Sequence, residues 1–397
     1  MDESKTIAPL TGLRFFAAMA VVLYHTSGMF LPQVVWLSYM VRDGNLGVSL
    51  FFVLSGFILS QVYLVQREPP IDRRSFYRAR FARIYPVFVA GLVIHAPFVI
   101  AHFFSRNAPT LAAAKATGSL AANLLMLQAW APPLGGGWDG PGWTLSTETF
   151  FYLTFPFLVP WLFRWPVGRL VVAVLVVEAL SLMPWLTLRL IHGPDFEVVP
   201  RGGLHDWLER FPPLHLHEFL IGVLACRLSV ALRKRERWSS SRWSTTGAAS
   251  FIALASILVA MPLSHVWPGS RHLIDNGLLP LLFAGLILAL AHGSGPLEGL
   301  LGSRTVVLLG GASYAIYLMH IPLLFWFYHF WPESCSWAQV PQAASQDSWQ
   351  AFGAYLVMVI GLSCACFLWF EEPSRRWLRG RPAPQRSRST TDALRGG

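Results

Sequence analysis

Charge is what this 397-residue sequence lacks: Asp, Glu, Lys and Arg make up 13% of it, against about 25% in an ordinary soluble domain. A water-soluble fold of this length needs a charged surface, so that class is excluded. Cysteine is scarce as well, at four residues. Cys226, Cys364 and Cys366 fall in apolar segments, and Cys335 stands alone in a loop. No CxxC or Cys/His spacing suited to a metal occurs, so neither a zinc site nor a disulfide framework is expected. No internal repeat is visible, and nothing resembles the inverted halves of many transporters.

What is present is apolar. Hydrophobic residues make up 54% of the chain, in blocks of about 18 to 25, the length that crosses roughly 30 Å of hydrocarbon. The sequence predicts an all-α, polytopic integral membrane protein. Candidate spans lie near 10–31, 46–66, 84–104, 145–163, 168–191, 215–231, 247–264, 277–292, 305–330 and 350–371. The first is longer than the apolar core of a signal peptide and contains His25, so it reads as a permanent span. The segment 119–131 is apolar but too short to cross.

The net charge of +10 sits in short connections between spans, as retention of basic loops on the cytoplasmic side requires. Nucleic acid is therefore not an expected partner. Basic clusters occupy Arg67–Arg83, the turn from Arg164 to Arg169, Arg227–Arg242 and the tail from Arg375. Placing all four in the cytoplasm demands an even number of crossings between neighbours. That condition holds only if 119–131 does not cross, giving ten spans with both termini cytoplasmic. Residues 1–377 then form one membrane domain. Residues 378–397, rich in Arg, Pro and Ser, are expected to be disordered.

An ionisable side chain inside a bilayer is costly and marks function by default. His25 lies fifteen positions after Leu10 and His320 fifteen after Thr305, so each stands roughly 22 Å along its helix. Glu148 lies about one turn inside the outer end of a helix running the other way. All three are expected in one outer layer, where two imidazoles and a carboxylate suit proton abstraction from a hydroxyl; independent polar contacts are the other reading. Arg14 precedes His25 by eleven residues, close to three turns, so the two share a helix face. Arg14 outlines the inner end of a cavity or is an ordinary anchor. Arg78, Arg80 and Arg83 form a cluster at the cytoplasmic mouth, suited to phosphate through paired hydrogen bonds or serving only to fix topology. The stretch Trp130–Trp143 offers aromatic faces to a sugar or forms an interfacial belt.

Several stretches, in order, carry a resemblance. They are Leu10-Thr-Gly-Leu-Arg14-Phe-Phe-Ala-Ala with Tyr24-His25, Gly47-Val-Ser-Leu-Phe-Phe-Val-Leu-Ser-Gly-Phe57 and Arg80-Phe-Ala-Arg83-Ile-Tyr-Pro86. Then come Gly142-Trp-Thr-Leu-Ser-Thr-Glu148-Thr-Phe-Phe-Tyr152, Ser313-Tyr-Ala-Ile-Tyr-Leu-Met-His320-Ile-Pro322 and Glu371-Glu372-Pro373-Ser-Arg375. The chain resembles the membrane acyltransferase-3 family, the O-acyltransferases of cell-surface and secreted glycans. The resemblance implies ten core helices in a bacterial inner membrane. It also implies acyl-CoA, acetyl-CoA in the first instance, as donor, and a carbohydrate or glycolipid as acceptor. His25 is implied as catalytic, Glu148 as essential, and Arg14 with Arg80 and Arg83 as donor-binding. Ser55, Gly56, Tyr314 and His320 are further family-like positions without an implied role. Many relatives carry a soluble esterase-like domain after the membrane part; this sequence carries none, so the reaction is expected to finish within the membrane domain or with a partner. Direct transfer and an acyl-His25 relay both fit. A proton-coupled transporter of a lipid-linked sugar is the alternative of a different class.

Overall fold

The computed structural model describes residues 7–31, 34, 46–66, 70–130, 138, 140–193, 204–234, 248, 250, 274–330 and 348–379. The helices are α1 (Ala8–Phe30), α2 (Leu46–Ser60), α3 (Arg73–Arg106), α4 (Pro109–Leu124), α5 (Trp143–Leu162), α6 (Val167–His192), α7 (Leu204–Arg210) and α8 (Leu216–Lys234). After them come α9 (Leu279–His292), α10 (Pro296–Leu301), α11 (Arg304–Phe330), α12 (Trp349–Cys366) and α13 (Glu372–Arg379). No strand occurs among the described residues.

Eight helical stretches among them are long and apolar enough to cross a bilayer, and they match eight of the ten expected spans. The span expected at 145–163 is α5, twenty residues long but less apolar because Thr, Ser and Glu open it. The span expected at 247–264 lies outside the described residues apart from two positions. α4 is sixteen residues, about 24 Å, which is short of a crossing. Lipid-facing surface is plain on α6, where Val172, Leu175, Val176, Leu180, Met183 and Leu190 are all exposed. In water such a stripe would be a large unpaid apolar surface; in hydrocarbon it is at home.

Two expectations about boundaries are corrected. The arginine segment before residue 84 is not a loop. Asp72 caps it by accepting from the Arg74 amide, and α3 then runs unbroken for 34 residues. At the other end, a π-helical stretch Phe367–Glu371 leads into α13, which continues to Arg379. Leu378 and Arg379 are therefore helical, not part of a disordered tail, and the Leu378 carbonyl accepts from Arg78 Nε at 2.5 Å. The remaining tail lies outside the described residues.

Four helices make the centre: α1 packs along α11, and α2 along α8 and α1, while α3, α12 and α6 flank them. Lipid tails are as apolar as leucine, so close backbone packing must supply the association. The α2–α8 pair shows how. A Cβ at Gly56 would lie 2.0 Å from the Phe219 carbonyl oxygen, and one at Gly222 2.0 Å from that of Val53. The family-like glycine at 56 is thus half of a reciprocal contact. Gly222→Ala is expected to cost about 1–3 kcal/mol through overpacking, read as a lower unfolding temperature of the detergent-purified protein. Gly118→Ala, where nothing lies within 4 Å, serves as the control.

Two prolines inside α3, Pro86 and Pro97, loosen its hydrogen-bond ladder. Neighbouring carbonyls are recruited by α11: Tyr314 Oη donates to Ile84 O at 2.6 Å, and Trp326 Nε1 to Ile94 O at 2.9 Å. These bonds fix the register of α11 against α3, and so the heights of the residues described next.

Candidate active site

Arg80 and Arg83 stand three residues apart, so they share one face of α3, and that face closes a cavity with α1, α2, α5 and α11. The cavity together with its open mouth spans about 750 Å³ of space not filled by atoms. Arg14, Ser55, Arg80, Arg83, Glu148 and Tyr314, all singled out from sequence, line it. Arg78 does not. It lies on another face of α3, exposed to solvent, and its guanidinium is engaged by the Leu378 carbonyl. Reading the segment as a loop had left the three arginines equivalent; the helix separates them.

Aromatic rings fix the cationic heads. The Arg14 guanidinium lies 6.0 Å from the Phe51 ring centre. That of Arg80 lies 5.6 Å from Tyr152, 5.8 Å from Tyr63 and 6.0 Å from Phe76. Arg80 Nε is buried with no acceptor among the described residues. Tyr152 donates its hydroxyl proton to Glu148 Oε1, one helical turn away. Glu148, and Glu371 from the π-helical stretch, lie within electrostatic reach of both Arg14 and Arg83. Among the lining residues there remain three guanidiniums against one carboxylate. A confined site with that surplus attracts an anion strongly, and planar guanidiniums favour phosphate.

The two histidines come together elsewhere. His320 Nε2 lies 3.2 Å from His25 Nδ1, with ring centres 5.1 Å apart. Neither is among the residues lining the cavity. Their link to it is Tyr317, one turn before His320. Its side chain lines the cavity, and its hydroxyl donates to Pro141 O at 3.1 Å and lies 3.0 Å from Thr144 Oγ1.

The single layer of His25, His320 and Glu148 is thus corrected to two levels: histidines above, Glu148 among the arginines below. The cause is where α5 begins. α4 carries the chain back along α3 until the Leu124 carbonyl meets Tyr85 Oη at 3.4 Å. Gln128 Nε2 then donates to Gly142 O at 2.7 Å and Ser146 Oγ to Met126 O at 2.6 Å. Further along, Tyr77 Oη donates to Leu153 O at 3.2 Å. α5 therefore starts well below the outer end of α3, and counting turns from an outer surface placed Glu148 too high.

The tryptophan stretch is also corrected in part. Trp138 is 3% exposed, its carbonyl 2.6 Å from His95 Nδ1. Trp143 packs against His215 and Phe52, with ring centres 5.2 and 6.3 Å away. Both are wall, neither sugar platform nor belt. Residues 131–137 and 139 lie outside the described residues.

Tyr152, Thr144, Tyr317 and Glu371 all stand in the motif stretches, yet sequence reasoning gave none of them a role. Their signal was spacing: Tyr152 is four after Glu148, and Tyr317 is three from both Tyr314 and His320. It also missed a buried pair behind the wall, His215 Nδ1 to Glu218 Oε2 at 3.0 Å, whose ring lies 5.3 Å from that of Phe52.

Similarity to known proteins bears on the family. The sequence model of a family described as an acyltransferase domain matches residues 7–368. The chain is 31% identical over 330 residues to the acyltransferase MdmB of Streptomyces mycarofaciens, covering 79% of this chain and 78% of that one. It is 23% identical over 347 residues to the O-acetyltransferase OatA of Staphylococcus aureus, covering 82% of this chain and 51% of that one. It is 26% identical over 338 residues to the putative peptidoglycan O-acetyltransferase YrhL of Bacillus subtilis, covering 81% and 49%. The chain thus spans about half the length of OatA and YrhL. No solved structure matches it significantly. An all-helical membrane fold, motif residues gathered around one cavity, and a family match along nearly the whole chain lead to one assignment: this protein belongs to the membrane acyltransferase-3 family.

Proposed function

We propose that the protein is an O-acyltransferase of the bacterial inner membrane. It takes an acyl group, acetyl in the first instance, from cytoplasmic acyl-CoA and delivers it to a hydroxyl of an extracytoplasmic carbohydrate or glycolipid. The observation that carries this reading is the cavity that Arg14, Arg80 and Arg83 line together. Coenzyme A presents phosphates at one end and its thioester at the end of a long pantetheine arm. With the phosphates on the arginines, that arm points along α1 from Arg14 towards His25, about 16 Å away. The names of OatA and YrhL support acetyl as the group and a cell-envelope glycan as the acceptor class.

His25 takes the proton of the acceptor hydroxyl. The oxygen lone pair forms the new C–O bond at the thioester carbonyl carbon, the C–S bond breaks, and the thiolate leaves with the proton that His25 held. Glu148, with Tyr152 donating to it, balances Arg14 and Arg83 so that the empty cavity is not prohibitively cationic.

Purified protein in lipid nanodiscs, given acetyl-CoA and an oligosaccharide, is expected to release free thiol only when a hydroxyl acceptor is present. A buried histidine pair also suits a proton-coupled transporter. Solute flux in vesicles without any thiol release would replace the enzyme reading with that one.

A further inference from the structure

We propose that His320 is a positioning residue that fixes the tautomer of His25, so that the lone pair of His25 is held on Nε2. The inference rests on the acyl-transfer reading above for its consequence, and on geometry for its content.

His320 is fully buried, so no bulk water can reorganise around its ring. Its Nδ1 lies 2.6 Å from the Tyr317 carbonyl oxygen. A carbonyl only accepts, so Nδ1 carries the hydrogen. A neutral imidazole has one N–H, which makes Nε2 an acceptor. That acceptor faces His25 Nδ1 at 3.2 Å. The same His25 Nδ1 lies 2.9 Å from the Val21 carbonyl oxygen. One hydrogen on Nδ1 of His25, shared between these two acceptors, meets both, and neutral His25 then has its lone pair on Nε2. The opposite assignment fails: a doubly protonated His320 would point an N–H at His25 Nδ1 and force it to accept, facing the Val21 carbonyl with no hydrogen between them.

The frame around the pair is rigid. Tyr355, itself fully buried, donates from Oη to the His320 carbonyl at 2.8 Å, so α12 holds α11 at this height. The Tyr317 carbonyl that orients His320 belongs to the residue whose side chain lines the arginine cavity. When His25 accepts a proton on Nε2, its Nδ1–H keeps donating to His320, now as a charge-assisted bond. His320 thus favours both the correct starting tautomer and the protonated state that follows, without touching substrate.

The test uses full-length protein in bilayers with ¹⁵N-labelled histidine, read by solid-state NMR, with His25 assigned by comparison with His25→Gln. The expected spectrum shows a hydrogen on Nδ1 of His25 and none on Nε2. A hydrogen on Nε2 overturns the proposal, whatever the activity. In turnover, His320→Leu removes the acceptor and is expected to lower kcat about a hundredfold with an unchanged KM for acetyl-CoA. His320→Gln restores an acceptor towards His25 and a donor towards Tyr317, and is expected to recover most of kcat. Equal kcat in the two variants, both folded by thermal unfolding, also overturns it. If His320→Leu does not fold, the wild-type spectrum and the Gln variant decide. Absence of thiol release by the wild type would sink the acyl-transfer reading while leaving the tautomer measurement valid.

Discussion

His25→Ala is expected to lower acyl transfer by at least about a hundredfold, the usual contribution of a positioned acid–base group. The donor should still bind, because the cavity lined by Arg14, Arg80 and Arg83 does not include His25. The fold should persist as well: α1 is held by its packing along α11 and α2, and its neighbour Thr26 keeps a hydrogen bond to Val22 O at 2.7 Å. Two measurements on purified protein separate these effects: steady-state turnover, and calorimetric titration with acetyl-CoA. Loss of turnover with retained binding is the expected pair. Turnover like that of the wild type would remove His25 from the chemistry, and loss of binding would merge the two levels of the site into one.

Arg80→Ala and Arg83→Ala should do the opposite. A hydrogen bond to a charged group contributes about 1.5–3 kcal/mol, so each change is expected to raise the KM for acyl-CoA on the order of ten- to a hundredfold. Arg80 carries the sharper expectation, since its Nε is buried without an acceptor among the described residues and stands ready for an incoming oxygen. Arg78→Ala is the contrast, because its guanidinium binds the Leu378 carbonyl and points away from the cavity. Saturation curves for acyl-CoA in the three variants test the separation. Curves unchanged in all three would reduce the cluster to a topology signal, and an equal rise in all three would mean the donor reaches past the cavity to the outer face of α3.

Much of the site was legible because membrane sequences make polar residues conspicuous. His25, Glu148 and His320 stand out against apolar neighbours, and the eleven-residue interval from Arg14 gives a shared face without any structure. Heights were less legible. They depend on where each helix starts, and α5 starts on a chain that α4 has already carried inward, which no hydropathy window records. Faces within the arginine segment required knowing that it is helical. The tyrosines carried no role for another reason: aromatic residues make up 14% of the chain, and in such a background Tyr152 and Tyr317 look like filling. Their motif stretches named them without a role, and it is their hydroxyl partners, Glu148 for one and Pro141 for the other, that give them a place in the site.

The Tyr317 hydroxyl, lodged between Pro141 and Thr144, has a bearing on the cell as well as on the reaction. A bacterial inner membrane stores energy as a proton gradient, and a protein reached by water from both faces risks becoming a leak through it. Along α11, one helical turn separates Tyr317, which lines the arginine cavity, from His320 of the histidine pair. For an enzyme that handles reactants from both compartments, as proposed above, the packing around this ring then bears on how tightly the membrane holds its gradient.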